Sequence, residues 1–210
     1  MGKDKTYYYK QLKILEEVAK KNKKPKLLLH VCCGPCSTAV LDTIYQHFDI
    51  TIYYTNSNIY PETEYNRRLN ELKLFIPNFN LNCQTNIKII EKPYQMENYH
   101  KLLENLKDQK EGGSRCHLCY FLRLKDTFEY ATIHNFDYVS TALTLSRMKN
   151  SKKINEIAQT ISSDFPNIIY FYSDFKKNKG IDKSITMTNL YNMYRQDYCG
   201  CLYSYQNKKT

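Results

Sequence analysis

An α/β fold built on a mostly parallel sheet is predicted by three features of this chain. Short apolar runs of strand length alternate with longer stretches of helical periodicity. The first run, Lys26 to Val31 (KLLLHV), is apolar almost throughout, as suits a strand covered on both faces. A cysteine-rich turn follows it at once, and sites in open α/β sheets form outside the carboxyl ends of the strands. Together these predict a Rossmann-like sheet flanked by helices, with a metal site at the carboxyl ends of the strands.

The elements follow in order. Leu12, Leu15, Val18 and Ala19 share one face of a helix over Lys5 to Lys24, which Pro25 stops. After the first strand, Val40, Ile44 and Phe48 mark one face of a second helix. Asp49 to Thr55 (DITIYYT) is rich in β-branched and aromatic residues and reads as the second strand. Asn56 to Tyr60 is a loop. Pro61 opens a helix whose first turn carries Glu62 and Glu64, favourable at that end of the dipole, and which is expected to run to about Phe75. Ile87 to Ile90 reads as a third strand, Gln95 to Leu106 as a helix, and Gly112-Gly113 as a break. Leu118, Phe121, Leu122, Phe128 and Ala131 form the next helical face. Phe136 to Ser140 is a fourth strand, Ile154, Ile157, Ala158 and Ile161 mark a helix, and Asn167 to Tyr172 is a fifth strand. A Lys-rich loop, a helix near Ser184 to Tyr194 and an irregular tail complete the chain. No repeat, low-complexity tract or linker interrupts this order. Residues 1–210 are therefore expected to form a single α/β domain, with 1–25 a helical extension and 195–210 an irregular tail carrying the last cysteine pair.

A chain of 210 residues buries a sizeable core without staples, so its eight cysteines call for another explanation. The first 26 residues lack the apolar stretch of a secretory signal, and no run approaches the ~20 apolar residues of a membrane span. A soluble cytoplasmic protein with no membrane partner is expected, and structural disulfides are rare in that compartment. Lys and Arg number 31 against 21 Asp and Glu, a net charge of +10. That balance suits a nucleic-acid partner, although a solvated Lys- and Asn-rich surface shaped by coding bias has the same composition.

Seven of the cysteines fall into three clusters: Cys32-Cys33-Gly34-Pro35-Cys36, Cys116-His117-Leu118-Cys119 and Cys199-Gly200-Cys201. Cys83 stands apart and reads as a small buried hydrophobe. The first cluster opens a helix, where backbone N–H groups favour thiolate. Two CxxC pairs brought to one crevice supply four thiolates, which suits a [4Fe–4S] cluster or an all-cysteine zinc site. Seven exceed four. The short loop of the remaining CxC strains a disulfide, so this pair suits redox chemistry or a second metal. Spacing alone leaves an iron–sulfur redox site, a zinc site and a thiol enzyme all open.

The motifs narrow this. Leu28 to Ser37 (LLHVCCGPCS) resembles the opening motif of the QueH-type epoxyqueuosine reductases. Asn58-Ile59-Tyr60-Pro61, with Glu64-Tyr65 and Arg67-Arg68-Leu69, is similar to their second motif, and Arg115 to Cys119 with Arg123-Leu124 to their third. Phe136 to Leu143 with Ser146, Lys149 and Asn150 resembles a fourth, and Tyr194 to Cys201 with Tyr203-Ser204 the last. The likeness spans about residues 27–205.

The resemblance implies an enzyme that removes the epoxide oxygen of epoxyqueuosine at the tRNA wobble position, without cobalamin, as the last step to queuosine. It implies that Cys32, Cys33, Cys116 and Cys119 hold a [4Fe–4S] cluster and that Cys199 and Cys201 are a redox-active pair. An adjacent mononuclear iron is also implied, with Cys36, Cys199 and Cys201 as candidate ligands. Relatives are expected to carry Cys or Asp at the Cys36 position, and both bind iron. The catalytic candidates are thus Cys36, Cys199 and Cys201. The implied partners are a tRNA with a GUN anticodon carrying epoxyqueuosine and an unidentified electron donor.

Anticodon loops are read by stacking and by contacts to base edges, roles open to Tyr60, Tyr65 and Tyr198. Arg67, Arg68, Arg115 and Arg123 are candidate phosphate ligands, and Asn58, Ser146 and Lys149 complete the candidate substrate contacts. His30 and His117 read as packed or hydrogen-bonded histidines, and Asp174, Asp182 and Asp197 as proton donors of lower rank. Two other classes compete. A zinc-stapled tRNA-binding module leaves the CxC pair without a task. An iron–sulfur tRNA-thiolating enzyme needs a phosphate loop, and Pro35 removes an N–H where phosphate would bind.

Overall fold

The computed structural model describes residues 6–209; Lys5 of the first predicted helix lies outside them. One sheet holds five strands: β1 (Lys26–His30), β2 (Asp49–Tyr54), β3 (Lys88–Glu91), β4 (Tyr138–Thr141) and β5 (Ile169–Tyr170). Their order is β3-β2-β1-β4-β5, and every pairing is parallel. Leu28 is the central register point, opposite Thr51 of β2 and Val139 of β4. The helices are α1 (Thr6–Ala19), α2 (Gly34–Ile44), α3 (Glu62–Cys83), α4 (Met96–Leu103), α5 (Ser114–Ile133), α6 (Ser151–Ser162), α7 (Gly180–Leu190) and α8 (Leu202–Lys209). The chain builds outward from β1 through β2 to β3, then returns to lay β4 on the other side of β1. The strand order therefore reverses between β1 and β4, which opens a crevice at their carboxyl ends.

The two-residue period of a strand sends successive side chains to opposite faces. Leu27 and Leu29 pack with Val40, Leu41 and Ile44 of α2 and with Leu69 and Leu72 of α3. Leu28 and Val139 pack on the other face with Leu124 and Phe128 of α5 and with Ile154 and Ala158 of α6. Phe128 is fully buried, its ring centroid 5.6 Å from Phe165 and 6.1 Å from Tyr170. Phe128→Ala is expected to lower the unfolding free energy by about 3–5 kcal/mol, through lost transfer energy and the cavity left behind. Urea denaturation with an unchanged m-value would register it; a loss under about 1 kcal/mol would mean that the site collapses around the gap.

The structure departs from the sequence reading in six places, one of them the helix expected near Ser184 to Tyr194, which runs over Gly180–Leu190. The first helix ends at Ala19, not Lys24, and it packs on the domain through Leu15 and Val18, with Gln11 Oε1 accepting from Asp174 N at 3.0 Å. The helix expected to stop near Phe75 continues to Cys83 through Pro77. Proline there costs about 3 kcal/mol. Phe75, Ile76 and Phe79 are all buried, and each contributes about 1.5–3 kcal/mol, which offsets it. Gln95–Leu106 divides into α4 and a 3-10 turn over Glu104–Leu106. β5 shrinks to Ile169–Tyr170 at the sheet edge, where Ile169 is 49% exposed. The tail is not irregular: α8 forms because Cys201 caps it, its Sγ accepting from Ser204 N at 3.4 Å and its carbonyl from Tyr205 N at 3.0 Å.

Candidate active site

β1 runs on past His30, with Val31 N donating to Tyr53 O at 3.1 Å, and then turns through Cys32 and Cys33 into α2. Pro35 sits in the first turn of α2, where its missing N–H is no loss. Cys33, in extended backbone at the start of α2, and Cys36 are one helical turn apart, and Cys32 precedes them at a bend. Their three Sγ atoms lie within 4.8 Å of one another, and those of Cys32 and Cys33 are 3.8 Å apart. Hydrogen bonds from Cys33 and Cys36, helped by Lys149 and Arg123, hold Cys32 well below the usual thiol range. Burial and the Cys32 charge push Cys33 up to about 12, and the contacts with Cys32 and Cys33 raise Cys36. Three soft donors so close together can hold a metal ion.

The other clusters border the same place. α5 carries Cys116 and Cys119; Cys116 Sγ accepts from Gly112 N at 3.2 Å, and burial pushes its thiol up to about 11. Cys116 also feels the charges of Cys199, Cys119 and Cys201. Among the described residues the tight triad comprises Cys32, Cys33 and Cys36, and the remaining four clustered cysteines lie outside it. The segment that leads to Cys199 crosses the first turn, where Gln196 Nε2 donates to Cys33 Sγ at 3.0 Å and lies 3.8 Å from Cys36 Sγ. Ser184 Oγ of α7 donates to Pro35 O at 2.8 Å and fixes the turn from the far side. Cys83 is half-buried on α3 beside the hydrophobic core, as a structural cysteine should be.

Two buried cations face the thiols. Burial opposes the charge on Lys149, but Cys199, Cys32 and Cys36 outweigh it and hold the ammonium above the ordinary lysine range. Burial likewise opposes Arg123, and Cys119 and Cys32 more than compensate. Arg123 Nε donates to His30 Nε2 at 3.2 Å and its Nη2 to Asn56 Oδ1 at 2.5 Å. His30 is therefore the tautomer with a proton on Nδ1, which faces Thr141 Oγ1 at 2.8 Å. Burial and the Arg123 charge keep that imidazole neutral. Asn56 closes the network, its Nδ2 donating to Val31 O at 2.8 Å.

Between these elements lies a cavity of about 530 Å³, lined by Cys32, Cys36, Lys149, Gln196 and Cys199. The exposed Arg147, Met148 and Arg195 border it, as do Ser146 and Asp197, the latter ion-paired with Lys208. The candidate substrate contacts divide accordingly. Arg67 is exposed, stacked over the Tyr194 ring at 3.3 Å. Arg68 and Arg123 are both buried, and their guanidinium groups bond within the protein. Arg115 is buried too, donating to Lys107 O and lying 4.2 Å from the Tyr203 ring. Tyr65 is buried with its hydroxyl on Lys92 O, so it cannot stack on a base. Tyr60 and Tyr198 pack against Tyr205, and Asn58 is buried with Oδ1 unpartnered. Asp174 is buried beside α1, away from the cavity lining. Sequence reasoning missed Gln196 and Asn56. Their signal was position: one lies three residues before Cys199, the other in the loop at the carboxyl end of β2.

The family profile described as "Epoxyqueuosine reductase QueH" matches residues 27–207. The chain belongs to this family. Curated relatives of the same name include that of Staphylococcus aureus, 42% identical with 97% of this chain and 86% of that protein aligned. That of Staphylococcus epidermidis is 41% identical over 97% of this chain and 87% of its own. That of Streptococcus pyogenes is 38% identical, with 91% and 76% covered. Membership of the QueH family of epoxyqueuosine reductases makes the chain an oxidoreductase. A thiol triad able to hold a metal at a strand-order reversal is in keeping with that chemistry. Among the described residues no helix is long and apolar enough to cross a membrane.

Proposed function

We propose that this enzyme reduces epoxyqueuosine to queuosine at the wobble position of tRNAs with a GUN anticodon, in the cytoplasm and without cobalamin. The observation that carries the reading is the meeting of the first and last thiol clusters and the buried Lys149 at one cavity in a chain of the QueH family. In this reading residues 1–210 act as one domain. Cys32, Cys33, Cys116 and Cys119 hold a [4Fe–4S] cluster, and Cys36, Cys199 and Cys201 serve an adjacent iron or, for the last two, a redox pair. The donor set suits iron–sulfur ligation because all the ligands are thiols and the triad is closely spaced. When bound, such a centre would supply electrons and a Lewis acid for the epoxide oxygen.

The reaction takes up two electrons and two protons, breaks both C–O bonds of the epoxide, leaves a carbon–carbon double bond and releases water. The electrons come from a donor still to be identified. Lys149, buried at the cavity lining and held cationic by the thiols, is the group we assign to hydrogen-bond the departing oxygen. Arg147 and Arg195 at the cavity border are exposed, Arg195 with Nη1 donating to Thr188 Oγ1 at 3.3 Å, and both face solvent where the anticodon-loop backbone would lie.

Anaerobic purification with iron and sulfide assays tests this directly. About four sulfides and four to five irons per chain, with a broad band near 400 nm bleached by dithionite, are expected. Such protein should convert epoxyqueuosine in tRNA to queuosine, read by nucleoside analysis. A colourless protein with one zinc and no sulfide, even after reconstitution, would instead support a zinc-stapled tRNA-binding module. ATP-dependent transfer of sulfur to tRNA would identify a thiolating enzyme.

A further inference from the structure

The loop bearing Cys199 and Cys201 is held by a buried arginine. Arg68, on α3, is 1% exposed. Its Nε donates to Glu64 Oε1 at 2.7 Å, one helical turn earlier. Its terminal nitrogens donate to the carbonyl oxygens of Cys199 at 3.3 Å and Tyr198 at 3.4 Å. The Glu64 carboxylate is oriented in turn by Tyr194 OH, which lies 3.3 and 3.2 Å from its two oxygens. From the other side Tyr60 N donates to Gly200 O at 2.7 Å, and Tyr198 OH donates to Tyr60 O at 2.5 Å. The carbonyls of three consecutive residues, Tyr198, Cys199 and Gly200, are thus all engaged by residues 60 and 68.

Gly200 completes the arrangement. Its φ is +116°, and a Cβ added there would lie 2.7 Å from Arg68 Nη1. The guanidinium occupies the space that any other residue's side chain would need. Held this way, the loop sends its two thiols apart. Cys199 lines the cavity, while Cys201 Sγ turns to the first turn of α8 and accepts from Ser204 N at 3.4 Å.

We propose that Arg68 is a positioning residue for the Cys199-Gly200-Cys201 thiols: it fixes the loop carbonyls so that Cys199 is presented to the cavity and Cys201 stays behind it on α8. The functional part rests on the proposed reductase reading, in which these thiols serve the reaction. Lysine cannot substitute, because one ammonium on a flexible stem does not reproduce the planar fork that spans two carbonyls and a carboxylate. Glycine is required at position 200 because a Cβ there would collide with the Arg68 guanidinium.

The test compares wild type, Arg68→Lys and Gly200→Ala, all handled anaerobically. Alkylation of Cys199 and Cys201 by iodoacetamide is followed by mass spectrometry, with Cys83 as an internal reference. Both variants are expected to change the Cys199 labelling rate about tenfold, with Cys83 unaltered. On epoxyqueuosine-containing tRNA, kcat should fall about a hundredfold while KM stays within about twofold, because presentation of the thiol is lost and RNA docking is kept. Folded variants that label Cys199 and Cys201 at wild-type rates would overturn the proposal. A uniform rise in labelling of all cysteines, Cys83 included, would also overturn it by showing general destabilisation. Should Arg68→Lys fail to fold, Gly200→Ala, which keeps the Arg68–Glu64 pair, decides the matter. A wild-type protein inactive on the tRNA would sink the reductase reading, and the labelling would still decide the clamp.

Discussion

Cys33→Ser is expected to purify with little metal and to lose epoxyqueuosine reduction by a hundredfold or more. Cys33 is fully buried at the centre of the thiol triad and is the atom to which Gln196 donates. Loss of an outer hydrogen-bond partner already costs about 10–100-fold in metal affinity or activity, and loss of a ligand costs more. A hydroxyl is a hard donor where a soft one is called for. The substitution is nearly isosteric, so the sheet should survive with about 1–3 kcal/mol lost to an imperfectly paired buried hydroxyl. Metal analysis of the purified variant, beside nucleoside analysis of treated tRNA, gives both readouts. Full metal content would mean that the triad is not the metal site.

Arg123→Met should damage both the fold and the metal site. The guanidinium is the donor to both His30 Nε2 and Asn56 Oδ1, and neither acceptor is replaced when it goes. Each buried acceptor left unpaired costs about 1–3 kcal/mol, so a loss of roughly 2–6 kcal/mol is expected in urea denaturation. The same change removes a positive charge facing Cys119 and Cys32, and metal retention should fall with it. Arg123→Lys keeps the charge but can serve only one acceptor well, and should fall between the two. A stability loss under about 1 kcal/mol in the methionine variant would show that the His30–Asn56 network contributes little to the fold.

The parts of this molecule legible in its sequence are those with a strong local signal. The apolar run at Leu27–Leu29, the alternation of strands and helices and the cysteine spacings placed β1, the parallel sheet and the crevice where the first cluster lies. Where tertiary contacts override local preference, the reading failed. Pro77 reads as a stop, yet the helix continues because its neighbours are needed in the core. The residues after Cys201 are polar and short of periodicity, and their helix depends on a cap that only the folded loop supplies. Arg68 and Arg123 look in sequence like the exposed Arg67. Nothing in a lone arginine codon tells a phosphate ligand from a buried strut; its surroundings decide, and those come from residues far along the chain.

The strand order has a consequence for how the protein must reach its native state. Eighty positions separate Cys36 from Cys116, and another 80 separate Cys119 from Cys199. α5 must pack against β1 before the first two clusters can meet, and such non-local contact is slow to form. Until then the chain presents three isolated groups of closely spaced thiols, each free to react within itself. Air oxidation during that interval competes with productive folding, and a CxxC closed too early would no longer be available as a pair of thiolates. A reducing environment therefore protects the maturation of this enzyme as well as its finished chemistry.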